Sequence, residues 1–174
     1  MWAAQRGHEV VVQLQLDKDI DMHSKDYFGK GVLSFAVESG DEAVVRIIIE
    51  KGADIEAKNN SGETPLSYAA RVEYVTPVVK LLLDKGAEVN SPSCIGKTPL
   101  MLAAEDGAED NMQLLLERGA DSEATDDIGH TVWYHMWLHL RSEILDDENH
   151  PLSSLYREPA PEFPDSQNNN YWPR

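Results

Sequence analysis

Two short phrases recur along this chain at a fixed spacing, and no other feature of the sequence restricts the fold as much. GKTPLMLAAEDG begins at Gly96, and GETPLSYAARVE begins 34 residues earlier at Gly62. GKGVLSFAVESG begins 33 residues before that, at Gly29, and GHTVWYHMWLHL begins 33 after the first, at Gly129. A second anchor keeps step: KGADIEAKN at Lys51, KGAEVNSPS at Lys85 and RGADSEATD at Arg118, with glycines 52, 86 and 119 spaced 34 and 33 apart. An apolar run precedes each one, VVRIIIE, VVKLLLD and NMQLLLE. A unit this short cannot bury an apolar face alone, so it has to stack on its neighbours. The pattern predicts an all-α stack of helix-turn-helix units.

These residues resemble the ankyrin repeat, whose pattern runs T-P-L-x-x-A-A, then Gly, V-V-x-x-L-L and G-A-D. The resemblance implies a solenoid of helix pairs joined by short β-hairpin loops. Three repeats match, over 26–58, 59–92 and 93–125. Each matching residue also has a physical task. Thr64 and Thr98 suit a helix N-cap, with Pro65 and Pro99 at the first helical position, where a missing N–H costs nothing. Ala69–Ala70 and Ala103–Ala104 are small enough for neighbouring repeats to approach closely. Leu81–Leu83 and Leu114–Leu116 give the second helix its apolar face. Gly52, Gly86 and Gly119 fall where a helix ends in a left-handed residue.

Departures from the pattern carry their own expectations. Gly31-Val32-Leu33 stands where T-P-L is expected, losing the cap and the proline. The repeat over 59–92 lacks a glycine between its helices, and Ala70 to Gly86 spans 16 residues against 15 in its neighbours. Thr76-Pro77 is expected to start its second helix as cap and first residue, with 71–76 protruding as a loop. Residues 1–25 match the later part of a repeat, so either the chain begins mid-repeat or it is a piece of a longer protein. At the other end Met136 and Trp137 replace the alanine pair, and 126–150 reads as a cap with a turn between its helices near Leu140–Arg141. From Pro151 to 174 the periodicity stops, which predicts a disordered or surface-docked tail.

Charge narrows the partners. The chain of 174 residues has a net charge of −16, which repels phosphate backbones and anionic lipid and excludes nucleic acid and membrane as partners. A basic protein surface is its electrostatic complement. No apolar run approaches the 18 residues needed to span a bilayer. A single cysteine, Cys94, excludes an internal disulfide and fits a reducing, cytoplasmic or nuclear setting.

Catalytic and cofactor motifs are weak. Gly96-Lys97-Thr98 ends like a phosphate-binding loop, but Ser91 stands where that loop needs glycine, and the three residues are accounted for as hairpin glycine, variable residue and helix cap. His135, His139 and Glu143 are spaced i, i+4, i+8 and would share one face of a continuous helix; the expected turn near Leu140–Arg141 separates them. No metal and no cofactor is expected. Asn90, after Leu82, Glu88 and Val89, is similar in order to sites of asparagine hydroxylation in ankyrin proteins of animals; an alternative is an asparagine bonding its own hairpin backbone.

The reading that remains is a non-catalytic, monomeric module that binds another protein. The resemblance implies contacts just around each hairpin glycine and at the end of each first helix. In this chain those are Tyr27, Phe28, Lys30, Glu38 and Ser39, then Asn60, Ser61, Glu63, Arg71 and Val72. They continue with Cys94, Ile95, Lys97, Glu105 and Asp106, and end at Asp127, Ile128 and His130. Two alternatives stand beside it: a metal-binding or enzymatic protein using the histidine-rich cap, and a structural spacer within a longer chain.

Overall fold

Three helices of the stack start at a side chain that accepts their first free amides, and five stop beside a left-handed glycine. The computed structural model describes residues 23–146, with side chains as far as Ser142. Within them run α1 (Val32–Ser39), α2 (Glu42–Glu50), α3 (Pro65–Arg71), a 3-10 turn (Glu73–Val75), α4 (Thr76–Asp84), α5 (Pro99–Glu105), α6 (Glu109–Glu117) and α7 (Val132–Asp146). The expected partial repeat over 1–25 lies almost wholly, and the tail over 151–174 wholly, outside the described residues. No strand occurs among the described residues; one isolated antiparallel bridge joins Lys25 to Gly31. The hairpins are therefore reduced to tight turns, closed by Asp26 N–H to Lys30 O at 3.0 Å, Asn59 to Glu63 at 3.0 Å, Ser93 to Lys97 at 2.9 Å and Asp126 to His130 at 3.0 Å.

The capping chemistry follows the sequence. Thr64 and Ser67 form a reciprocal capping box at the start of α3, and Thr98 accepts the Met101 amide at the start of α5. Proline follows each threonine as the first helical residue. Gly31 caps α1 with no side-chain bond, as its lost threonine implies. Asp41 caps α2, its carboxylate accepting the Ala43 and Val44 amides at 2.9 and 3.2 Å.

The helices form two layers. α1, α3, α5 and α7 pack side by side in chain order, and α2, α4 and α6 form a second row behind the first three. Ala36, Ala69, Ala70, Ala103 and Ala104 are fully buried where first helices meet. Val44, Val45, Ile48, Val78, Val79, Leu82 and Leu115 fill the space between the layers. Leu83 packs against this core, whereas Leu116, at the same register one repeat on, is 45% exposed. The second row ends at α6 among the described residues, so no further helix covers that face. Met136, in place of the first alanine of the pair, packs on the core as a broader, half-buried side chain.

Two expectations fail here for physical reasons. The turn placed near Leu140–Arg141 does not form: α7 is one continuous helix from Val132 to Asp146. Its sequence has no glycine, proline or capping residue before Ser142 to interrupt it. Thr76 is the first residue of α4 and not its cap, which is Val75, with no side-chain bond. The Thr76 hydroxyl instead donates to Asn111 Oδ1 at 2.8 Å. The stretch after α3 does bulge, with Tyr74 88% exposed, but Val75 beneath it is buried and tightens the turn into a 3-10 coil.

Asn111 explains how that repeat dispenses with its glycine. It occupies the register position of Val44 and Val78, a core site, yet is fully buried. Its Nδ2 lies 3.3, 3.1 and 2.8 Å from the carbonyls of Ala69, Ala70 and Val72, the loose end of α3 in the preceding repeat. Elsewhere a left-handed glycine turns the chain between the helices, Gly40 after α1 and Gly107 after α5. Here a side chain from the next repeat satisfies those carbonyls. Asn111→Val would restore the apolar pattern but remove the bond to Ala70 O, while Ala69 O and Val72 O keep the Val72 and Val75 amides, so it should destabilise the protein by about 1–3 kcal/mol in urea unfolding. A variant as stable as the native chain would show that the Ala70 carbonyl finds another partner.

Candidate functional site

The four tight turns sit in a row because each is hydrogen-bonded to the next. The Asn60 amide donates to Phe28 O at 3.0 Å, the Cys94 amide to Ser61 O at 2.8 Å and the Asp127 amide to Ile95 O at 3.2 Å. Within each turn one polar side chain braces the backbone. Asp26, Asn59, Ser93 and Asp126 each accept two amides of their own turn, those two and four residues on. Gly62 shows why glycine is needed: its φ is +73°, and a Cβ there would come within 2.6 Å of the Cys94 amide nitrogen.

This row exposes large apolar side chains. Tyr27 is 90% exposed, Phe28 65%, Ile95 57% and Ile128 76%. Tyr27 and Phe28 meet edge to face with ring centres 5.4 Å apart. Cys94 is a free, exposed thiol on the third turn. Asn60, Ser61, Asp127 and Val72 are exposed, and His130 is half-buried.

The charged candidates are paired with one another. Lys30 binds Glu38, and Lys97 binds Glu105 at 2.8 Å, each pair joining the residue after a turn glycine to the end of the first helix in the same repeat. Arg71 binds Asp106 of the next repeat at 2.6 Å and approaches Glu63 at 3.8 Å. Burial opposes the Arg71 charge, but the Asp106 bond and the surrounding carboxylates outweigh it and hold the guanidinium protonated above its ordinary range. Ser39 turns inward, its hydroxyl donating to Ala36 O at 2.6 Å. Among the candidates, the polar residues chiefly hold the face in shape while the apolar ones are presented outward.

Two groups escaped the sequence reading. Lys30 Nζ stands 4.6 Å from the Tyr68 ring and 5.0 Å from Phe35, so a tip lysine is seated on rings of two repeats. Tyr68 in turn lies 2.6 Å from Asn59 Nδ2, and burial raises its hydroxyl above the usual range. The second group is Asp126, His130 and His135 at the last turn. The i, i+4, i+8 set is not assembled as such: His135 points to Asp126, His139 lies over Gly107, and the Glu143 side chain is outside the described residues. Asn90 does not bond its own turn; its Oδ1 accepts the Asp121 amide at 2.9 Å and its Nδ2 reaches Gly119 O at 3.4 Å, tying two repeats together.

A row of braced turns in front of paired, alanine-packed helices defines a helical repeat solenoid. The family profile described as Ankyrin repeats (3 copies) matches residues 1–93 and, overlapping, 61–126. The chain belongs to the ankyrin-repeat family, whose members generally serve as protein-protein interaction modules and are typically non-catalytic. No curated protein matches it. Among the described residues no helix is long and apolar enough to cross a membrane.

The turn row makes a separable prediction. Gly62→Ala should destabilise more than Gly86→Ala. Both glycines have positive φ, which costs a side chain about 1–2 kcal/mol, but nothing lies within 4 Å of a Cβ at Gly86. Only the first also collides with the next turn. Equal losses in chemical unfolding would mean that the turns yield freely.

Proposed function

We propose that this chain is a non-catalytic recognition module that binds a partner protein along its row of turns and the adjoining ends of the first helices. The observation that carries the reading is the exposure of Tyr27, Phe28, Ile95 and Ile128 on three of the four turns of a hydrogen-bonded row, the turn at 59–63 presenting Asn60 and Ser61 instead. Large apolar side chains held out from a braced backbone lose little conformational freedom on binding, and aromatics are typical anchors of interfaces. The carboxylates of Glu63, Asp106 and Asp127 beside them favour a partner with some basic character, although the ion pairs leave charge a secondary role. The repeat body is read as 1–150 and the tail as 151–174, in a monomer suited by its single cysteine to the cytoplasm or nucleus.

Capture of partners with mass spectrometry, followed by affinity measurement on variants, tests this directly. Phe28→Ala should weaken binding by about 2 kcal/mol or more, roughly thirtyfold, and leave the melting temperature nearly unchanged. Lys80→Ala and Gln113→Ala, exposed on the second-helix side, should bind as the native chain does. Weakened binding in those two with none in Phe28→Ala would place recognition on the other surface. A chain that captures nothing would favour the spacer.

A further inference from the structure

The tight turns gather the same three register positions in every repeat: the bracing residue, the residue after the turn glycine, and one on the first helix. In the second repeat these are Asp26, Lys30 and Phe35; in the third, Asn59, Glu63 and Tyr68; in the fourth, Ser93, Lys97 and Leu102. At the last turn they are Asp126, His130 and His135, three residues that each carry a metal-binding atom. We propose that Asp126, His130 and His135 form a binding site for a divalent first-row transition cation of the zinc type, which would clamp the last turn to α7.

The geometry fits such an ion. His135 Nε2 lies 3.1 Å from Asp126 Oδ2, and His130 Nδ1 lies 3.7 Å from the same oxygen. A tetrahedral zinc with bonds of about 2.0–2.2 Å separates neighbouring donors by about 3.3–3.6 Å, between those two values. One donor atom from each residue falls within 4.8 Å of the others. Asp126 Oδ1 is committed to the Ile128 and His130 amides at 3.1 and 2.8 Å, which aims Oδ2 at the two rings. This is the outer-shell support that orients a ligating carboxylate. His135 and Asp126 are 2% and 6% exposed, while the His130 side chain, 30% exposed, leaves a route for the ion.

The surroundings of the three residues are charged as well as buried. Burial alone would raise the Asp126 carboxyl, but the His130 and Ile128 amides and the His135 ring outweigh it and hold it below its ordinary range. Burial first, then the Lys97 charge, pushes the His135 imidazolium down against the pull of Asp126 and Glu105. Lys97, the nearby cation, is itself bound to Glu105 at 2.8 Å. The His130 ring is stacked on Tyr134 at 3.5 Å between centres, which restrains its orientation.

The test is equilibrium dialysis of the untagged full chain against zinc with elemental analysis, paralleled by cobalt absorption spectra. The native protein should retain zinc, give the visible bands of tetrahedral cobalt, and melt higher with zinc than with a chelator. His130→Lys and His135→Leu place at each position a residue that the same register already holds elsewhere, Lys30 and Lys97 or Leu102. Each should fold and lose at least tenfold in zinc affinity and most of the cobalt spectrum, whereas His23→Ala, at the far end, should lose nothing. If His135→Leu fails to fold, His130→Lys carries the comparison alone. No zinc retained by the native chain, or retention that these variants leave unchanged, would overturn the site.

Discussion

The amide of one turn bonded to the carbonyl of the turn before it is the contact on which the rest of this structure depends. Three such bonds, from Asn60, Cys94 and Asp127, fix the spacing between repeats at their outer edge. They demand close backbone approach, and so glycine at the turn: a Cβ on Gly29 would fall 2.8 Å from the Asn60 amide nitrogen, and on Gly96 2.7 Å from that of Asp127. Once the turns are in register, the first helices that follow are brought together along their alanines. The recurrence of glycine at 29, 62 and 96 is thus one physical requirement repeated, while Gly129, with nothing within 4 Å of a Cβ, keeps only the positive φ of its turn.

Packing behind the row is thin and shared. No repeat owns a complete core; Leu82 and Leu115 are buried only because a neighbour covers them, and Leu116 shows what happens where the cover ends. Polar side chains that cross between repeats reinforce the same interfaces. Asn111 reaches back to the end of α3, Arg71 forward to Asp106, and Asn90 to the loop after α6. A buried asparagine with its amide and carbonyl both bonded keeps a defined register that an apolar side chain would not enforce. The consequence is an edge of turns whose shape the fold itself sets.

What could be read in the sequence was whatever each repeat states locally. Thr64, Thr98 and their prolines announce helix starts without reference to any neighbour, and Gly52, Gly86 and Gly119 all have the positive φ expected of helix ends. Contacts between repeats were harder to see. Asn111 opens the run NMQLLLE with nothing local to mark its role, because its partners are 35 to 42 residues away. The continuity of α7 was missed because the repeat frame was extended past the point where its turn residues end. Asp126 and His135 were separated by reading helix spacing alone; lining up the turn with the helix, as Asn59 lines up with Tyr68, would have joined them. The apolar tips, by contrast, are exposed as their positions in the repeat implied.

Native-state hydrogen exchange resolved by residue tests the central claim, that the turns form one cooperative edge with the helices. The amides of Asn60, Cys94 and Asp127 should exchange within about tenfold of core helix amides such as Leu102, since turns and helices would open together. Exchange of those three near the unprotected rate, with α3 and α5 still protected, would contradict it and leave the turns as independent loops.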